Sequence, residues 1–513
     1  MPTCEPASMK HTLRHKTISG LGWSAFSQIT RQAASLAVFL ILARLLGPGA
    51  YGLVGMVAIF TGFGTLFVEL GLGAGLVQRK EVKEEHINTV FWVNIAMGAI
   101  LAGLMALFAP LIARLYSQPE LTAIAQVSSL AFIFGALGTV QDALLSREMR
   151  FGVLAKIEMA STALSGLLGV VMALQGFGVW SLVGQTLSHS IIRTLGLWRS
   201  SNWRPRGRFR LTVISDFAGF SGNLFGYSLF NYWVRNADNL LIGKFIGSEA
   251  LGLYSRAYQL MVLPVFQLSG VANTVMFPVL STVQHDLARV RSIYLRSISI
   301  IHLIAAPIYA GLFVVADAFV AAVLGERWLA MVPILRILCT VGFFQPIGNS
   351  TGWLYTALGR TDIMFKWGIL MGVMHVAGFF IGMRWGVLGV AWSYCIIGWL
   401  FWYPGWTIAG RVAGLSFTKM LVPLMPASLC ATAMGVIVWV VGLYLKPTMP
   451  VGAVLTIQVL SGAALYGGLV MMLRLKAWQE VLTLAMERLR PAQDPLQVPS
   501  QSSVTIRPLE ADE

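Results

Sequence analysis

Residues 18–53 read ISGLGWSAFSQITRQAASLAVFLILARLLGPGAYGLV, and this stretch decides what kind of chain it belongs to. It is one long apolar helix, a short turn, and the start of a second helix. The helix is too long and too apolar for a soluble protein, and Arg31 stands near its middle. A charge at that depth costs roughly 2.5 to 3.5 kcal/mol on insertion scales, so Arg31 is read as a functional position.

The composition around this stretch agrees. The chain has 513 residues, of which 56% are hydrophobic and only 12% charged, and its mean hydropathy is +0.72. Apolar runs of the ~20 residues that a bilayer requires recur along nearly the whole length, which gives an all-α polytopic membrane protein. A transmembrane barrel would show ten-residue alternation instead. About fourteen spans are expected, at 18–46, 51–78, 88–115, 121–145, 152–174, 177–198, 213–245, 251–280, 292–316, 329–357, 364–384, 386–409, 420–445 and 451–474.

The net charge of +15 does not point to nucleic acid, because the basic residues sit in short loops between apolar spans. One set of alternate loops holds most of them, among them Arg79/Lys80/Lys83, Arg147/Arg150/Lys156 and Arg204/Arg206/Arg208/Arg210. Positive loops stay in the cytoplasm, so both termini are expected there. Cys339, Cys395 and Cys430 lie within apolar spans; with Cys4 they form no metal-like pair and read as core residues, not a disulfide framework.

The opening stretch has an echo. ILARLLGPGAYGL (41–53) aligns without a gap to LIGKFIGSEALGL (241–253), so that Arg44 meets Lys244, Gly47 meets Gly247 and Gly52 meets Gly252. Weaker echoes link GFGVWSL (176–182) to WGVLGVAWS (385–393), and LLSREMRF (144–151) to ALGRTDIMF (357–365). Two parallel six-helix repeats give two pseudo-symmetric lobes related by an axis along the membrane normal. The expected organisation is an N-terminal tail (1–17), an N-lobe (18–198), a basic linker (199–212), a C-lobe (213–409), two extra helices (420–474) and a tail (475–513). That tail begins as an amphipathic helix and ends in a Pro/Gln/Ser-rich stretch without ordered structure.

Polar residues inside the spans fall at helical spacing. Ser24, Gln28, Arg31 and Ser35 make one stripe; Asn223, Tyr227, Asn231, Arg235 and Asp238 make another. The repeat register sets Arg31 against Asn231 and Ser35 against Arg235, as expected of two related helices flanking a wet central cavity. Arg235 and Asp238, three residues apart, read equally well as a pair that neutralises itself. Glu69, Asp142, Glu158, Arg193, Arg256 and Arg336 lie off-centre, where snorkelling or pairing near a helix end explains them as well as function does. Prolines at 264, 278, 307, 333 and 346 interrupt later spans, as hinges or as fixed kinks. Trp198, Trp203, Trp328 and Trp385 read as interface anchors. No catalytic constellation, metal set or nucleotide loop is present in the sequence, so no cofactor and no enzyme activity are expected.

LARLLGPGAYG (42–52) and YSRAYQLMVLPVFQLSGVANTVMFPVLSTVQHD (254–286) resemble the polysaccharide transporter (Wzx-like) flippases of the multidrug/oligosaccharidyl-lipid/polysaccharide exporter superfamily. The resemblance covers about residues 1 to 475. It implies a bacterial inner-membrane transporter that moves an undecaprenyl-diphosphate-linked repeat unit, with polysaccharide polymerase and assembly proteins as partners and no nucleic acid. Relatives hold the diphosphate with cavity cations, which implies Arg31, Arg235 and Arg256 here, beside Asn231 and Gln28 on the same stripes. The alternative within the superfamily is a cation-coupled multidrug antiporter, for which Glu69, Asp142 and Asp238 are the available carboxylates.

Overall fold

The computed structural model describes residues 32, 34–68, 76, 82–206, 212–445 and 448–489. The first half of the chain supplies α1 (Ala34–Leu45), α2 (Pro48–Val68), α3 (Glu84–Tyr116), α4 (Leu121–Arg147), α5 (Phe151–Leu174) and α6 (Trp180–Ser200). The second half supplies α7 (Thr212–Phe245), α8 (Ser248–Thr282), α9 (Leu287–Phe319), α10 (Val332–Gly342), α11 (Gln345–Ala357), α12 (Thr361–Gly382) and α13 (Gly386–Ala413). A short α14 (Phe417–Leu421) leads into α15 (Met425–Leu445), α16 (Val451–Met472) and the terminal α17 (Lys476–Leu489). Each expected span contains helix where it is described, and among the described residues there is no strand. Among the described residues, nine stretches are long and apolar enough to cross a membrane.

Three long helices, α6, α7 and α8, fall outside that apolar set. They carry Gln185, His189 and Arg193, Asn231, Arg235 and Asp238, and Arg256 respectively. A helix that carries polar groups at membrane depth loses hydropathy, which sets these three apart.

The span expected at 329–357 is broken. Pro346 has no N–H to give and its ring crowds the carbonyl four residues back, so the helix stops at Gly342 and restarts at Gln345. The carbonyl of Phe344 then accepts from the amides of Ile347 and Gly348. Pro333 likewise starts α10. These two prolines are therefore helix starts, whereas Pro264 and Pro278 in α8 and Pro307 in α9 lie inside continuous helices.

The buried apolar side chains divide by position. One cluster draws on both halves, from Leu42, Tyr51 and Met56 through Tyr254 and Met261 to Trp328 and Cys395. A second is built from the first half alone, around Leu76, Phe91 and Val140 with Trp198 and Trp203 packed on it. A third is built from the second half alone, around Tyr294, Leu354, Trp406 and Met420. Among the described residues, the halves thus share a core at the end bearing the 41–53 and 241–253 repeats and keep separate cores toward the end bearing the basic loops.

The added helices pack on α9. Tyr466 of α16 donates to the Leu303 carbonyl at 2.7 Å, and Arg296 pairs with Glu480 of α17 at 2.9 Å. The linker is fastened to the first half, since Asn88 bonds both the amide and the carbonyl of Arg206. Cys339, Cys395 and Cys430 are buried and unbridged.

Candidate functional site

The two repeats meet each other. A Cβ on Gly52 would overlap the carbonyl of Ser248, and a Cβ on Gly252 would overlap the carbonyl of Pro48. Pro48 and Ser248 are themselves equivalent in the repeat, so each half offers a bare glycine to the other's helix start. This close approach needs hydrogen in place of a side chain.

The paired cations cross the same interface. Arg44 donates to the Ala322 carbonyl, in the π-helical turn Val320–Leu324 that ends α9. Lys244 donates to the Leu115 carbonyl at the end of α3. Each cation thus satisfies carbonyls at a helix C-terminus in the opposite half, where the helix dipole is negative. Trp328, expected as an interface anchor, is instead fully buried. Its indole donates to the Ala43 carbonyl at 2.8 Å, and Tyr51 packs edge-on against it at 5.5 Å. Trp385 remains exposed, as an anchor should be.

Replacing Arg44 and Lys244 together by Ala is expected to weaken this closure by about 1–2 kcal/mol, since each cation at a helix C-terminus contributes about 0.3–1 kcal/mol or somewhat more when partly buried. The measurement is maleimide labelling of a cysteine placed at Ala50. Labelling should quicken about tenfold, and an unchanged rate would remove these cations from the closure.

Of the residues implied in substrate binding, Gln28 and Arg31 lie outside the described residues, as does Glu69. Arg256 sits in the closed interface, its guanidinium 4.5 Å from the Tyr51 ring centre and 5.7 Å from that of Phe39. It donates to Gln259 at 2.5 Å, and its Nε is buried without a hydrogen-bond partner. Arg235 is exposed one turn beyond half-buried Asn231 on α7, and it lies beside the Tyr258 hydroxyl.

Asp238 is buried, accepting from the Tyr254 hydroxyl at 2.9 Å and from the Asn239 amide at 2.7 Å. Among the described residues it forms no salt bridge with Arg235, so the self-neutralising pair is not what holds it. Tyr254 stacks on Tyr258 (6.2 Å between centres), and Tyr258 meets Tyr394 edge-on at 5.8 Å. A chain of aromatic contacts, anchored at Asp238, therefore runs from α7 through α8 to α13.

Asp142 is equally committed. Arg193 of α6 reaches it at 2.9 Å and reaches Glu158 of α5 at 3.0 Å, while His189 lies 3.5 Å from Glu158. Arg336 likewise pairs with Asp317 at 2.8 Å. Histidines scattered in sequence thus take part in contacts that sequence spacing does not show. A partner three or four residues away can be read from the sequence; one on another helix cannot.

Residues 41–333 match the family described as polysaccharide biosynthesis protein. The teichuronic acid biosynthesis protein TuaB of Bacillus subtilis (strain 168) is 30% identical over 460 residues, 89% of this chain and 95% of TuaB. The chain belongs to the polysaccharide biosynthesis protein family. Within that family it is 29% identical to the lipopolysaccharide biosynthesis protein WzxC of Escherichia coli (strain K12), over 74% of this chain and 78% of WzxC. It is 27% identical to the succinoglycan biosynthesis transport protein ExoT of Rhizobium meliloti (strain 1021), over 71% of this chain and 74% of ExoT. Among solved structures, the lipid II flippase MurJ in an inward closed conformation superposes with a TM-score of 0.71 at 16% identity, over 88% of this chain and 98% of MurJ. The family member described here therefore has that transporter fold.

Proposed function

We propose that the protein is a flippase that carries an undecaprenyl-diphosphate-linked oligosaccharide repeat unit across the bacterial inner membrane by alternating access. The observation that carries this reading is the uneven sharing of the core. The halves lock together through Gly52, Gly252, Arg44 and Lys244 at one end and hold separate cores toward the other. If the basic loops face the cytoplasm, as the charge distribution expects, both termini are cytoplasmic and the chain is closed on the outer side.

Polysaccharide building is named in TuaB, WzxC and ExoT alike, and transport is named in ExoT. A diphosphate head suits arginine's planar fork, and Arg235 with Arg31 is assigned to it. Apolar cavities of about 670 Å³ and 660 Å³ flank α15 and suit the prenyl chain. The membrane potential favours outward movement of negative charge by about 2.3 kcal/mol per charge per 100 mV. No chemical step is assigned to the chain, and a polymerase and other assembly proteins receive the product.

The antiporter alternative requires a carboxylate free to cycle cations. Asp142 is held by Arg193, and Asp238 by Tyr254 and Asn239, which disfavours it.

Proteoliposomes loaded with a lipid-linked diphosphate oligosaccharide on one face test the proposal. Export should respond to an imposed potential and fall about 10- to 100-fold in the Arg31→Ala, Arg235→Ala double variant, the worth of one or two charge-assisted hydrogen bonds. No export by the unaltered protein, with cation-driven dye efflux in its place, would overturn it.

A further inference from the structure

The break at Pro346 leaves a cavity of about 250 Å³ between α10–α11, α12 and α13, wholly within the second half. Its walls differ from those of the two apolar cavities. Trp367, Trp402 and Trp406 supply flat aromatic surface, and no lining residue is Asp, Glu, Lys or Arg. Gly348 leaves one wall bare, since a Cβ there would meet nothing within 4 Å.

The polar groups around it are only partly used. The Gln345 amide donates to the Tyr394 hydroxyl at 3.1 Å, but its carbonyl oxygen is buried without a partner. The indole N–H groups of Trp402 and Trp406 are also buried and unpartnered, and the Trp406 side chain is only 2% exposed. His375 Nδ1 lies 2.8 Å from the Met371 carbonyl. A carbonyl only accepts, so Nδ1 carries the hydrogen and Nε2 is left as an acceptor. The residues lining the cavity therefore include the hydrogen-bonding side chains of Gln345, Asn349, Thr351, His375 and Tyr394, and no charge, between aromatic faces. A ligand with hydroxyls to pair with these polar lining residues is favoured over a wholly apolar one.

We propose that this cavity is a sugar-ring subsite, taking one uncharged pyranose of the transported repeat unit. A pyranose has an apolar C–H face to lie on an indole, and hydroxyls that both donate and accept. A diphosphate finds no counter-charge here, and an alkyl chain gives the polar lining residues nothing to pair with. The proposal rests on the flippase reading and adds a binding place separate from the arginines that hold the head.

The test uses the full chain in lipid nanodiscs and saturation-transfer NMR with the methyl glycosides of glucose, galactose, mannose and rhamnose. At least one glycoside should receive saturation, and methyl glucuronide and inorganic pyrophosphate should not. Gly348→Leu, which fills the cavity without removing a wall, should abolish the signal. Trp402→Phe, which replaces the indole by a smaller ring, should weaken binding, and it decides the matter if Gly348→Leu fails to fold. In proteoliposomes Gly348→Leu should slow export of the sugar-bearing lipid diphosphate and leave movement of the sugar-free lipid diphosphate unchanged. If no glycoside binds and both variants export normally, the subsite is wrong and the flippase reading stands. If glycosides bind as described but no lipid moves, the flippase reading falls instead.

Discussion

Gly52→Ala is expected to abolish export and to leave the repeat-bearing end open, and Gly252→Ala to do the same. In each case the new methyl group meets a backbone carbonyl of the opposite half, Ser248 or Pro48. A backbone carbonyl inside a helix start has no rotamer to escape into, so the halves must separate. Shifting a two-state equilibrium from 99:1 to 1:99 takes about 5.5 kcal/mol, and loss of this contact along the whole α2–α8 interface is of that order. The individual helices should not suffer, because Ala is a better helix former than Gly by about 1 kcal/mol. The expected combination is thus distinctive: a folded, membrane-inserted protein, fast maleimide labelling at a cysteine on position 50, and export below about 1% of the parent. Normal export by Gly52→Ala would mean that this end does not need to close during transport.

Arg193→Ala should be strongly destabilising. Arg193 joins three helices by holding Asp142 of α4 and Glu158 of α5 from its place on α6. Removing it leaves two carboxylates facing each other with only His189 nearby. Breaking a buried pair by deleting one partner costs about 3–5 kcal/mol. These side chains are 26–37% exposed, so about 2–3 kcal/mol is the appropriate expectation. The measurement is thermal unfolding in detergent. The control is Arg193→Leu combined with Asp142→Asn and Glu158→Gln, which removes all three charges and should regain most of the loss. If the single variant melts with the parent, the cluster does not hold the three helices together.

The helices and the internal repeat were legible in the sequence because both leave periodic marks. Apolar runs of bilayer length announce spans, and the gapless match of 41–53 to 241–253 gives the register in which Gly52 and Gly252 meet. The partners of the intramembrane charges were not legible. Asp142, Glu158 and Arg193 stand on α4, α5 and α6, and their meeting depends on how three helices are rotated about their axes. Asp238 shows the same limit from the other direction. Its sequence neighbour Arg235 is the obvious partner, yet Tyr254 on the next helix is the one that reaches it. Trp328 read as an anchor because it follows a charged turn at a span end; only the packing of Tyr51 and Ala43 shows that the turn is covered. Arg31, Gln28 and Glu69 lie outside the described residues, so the first polar stripe rests on sequence periodicity.

The exchange of glycines between the repeats obeys the contact rule of a two-fold homodimer, in which residue i touches j and j touches i. A single chain that keeps such a contact is free of the homodimer's chief restriction, which is that every change appears twice. The consequence is specialisation. The four-residue ionic cluster belongs to the first half alone, while the broken helix with its aromatic cavity belongs to the second. Symmetry is retained where the halves must fit each other and abandoned in the parts that each half keeps to itself.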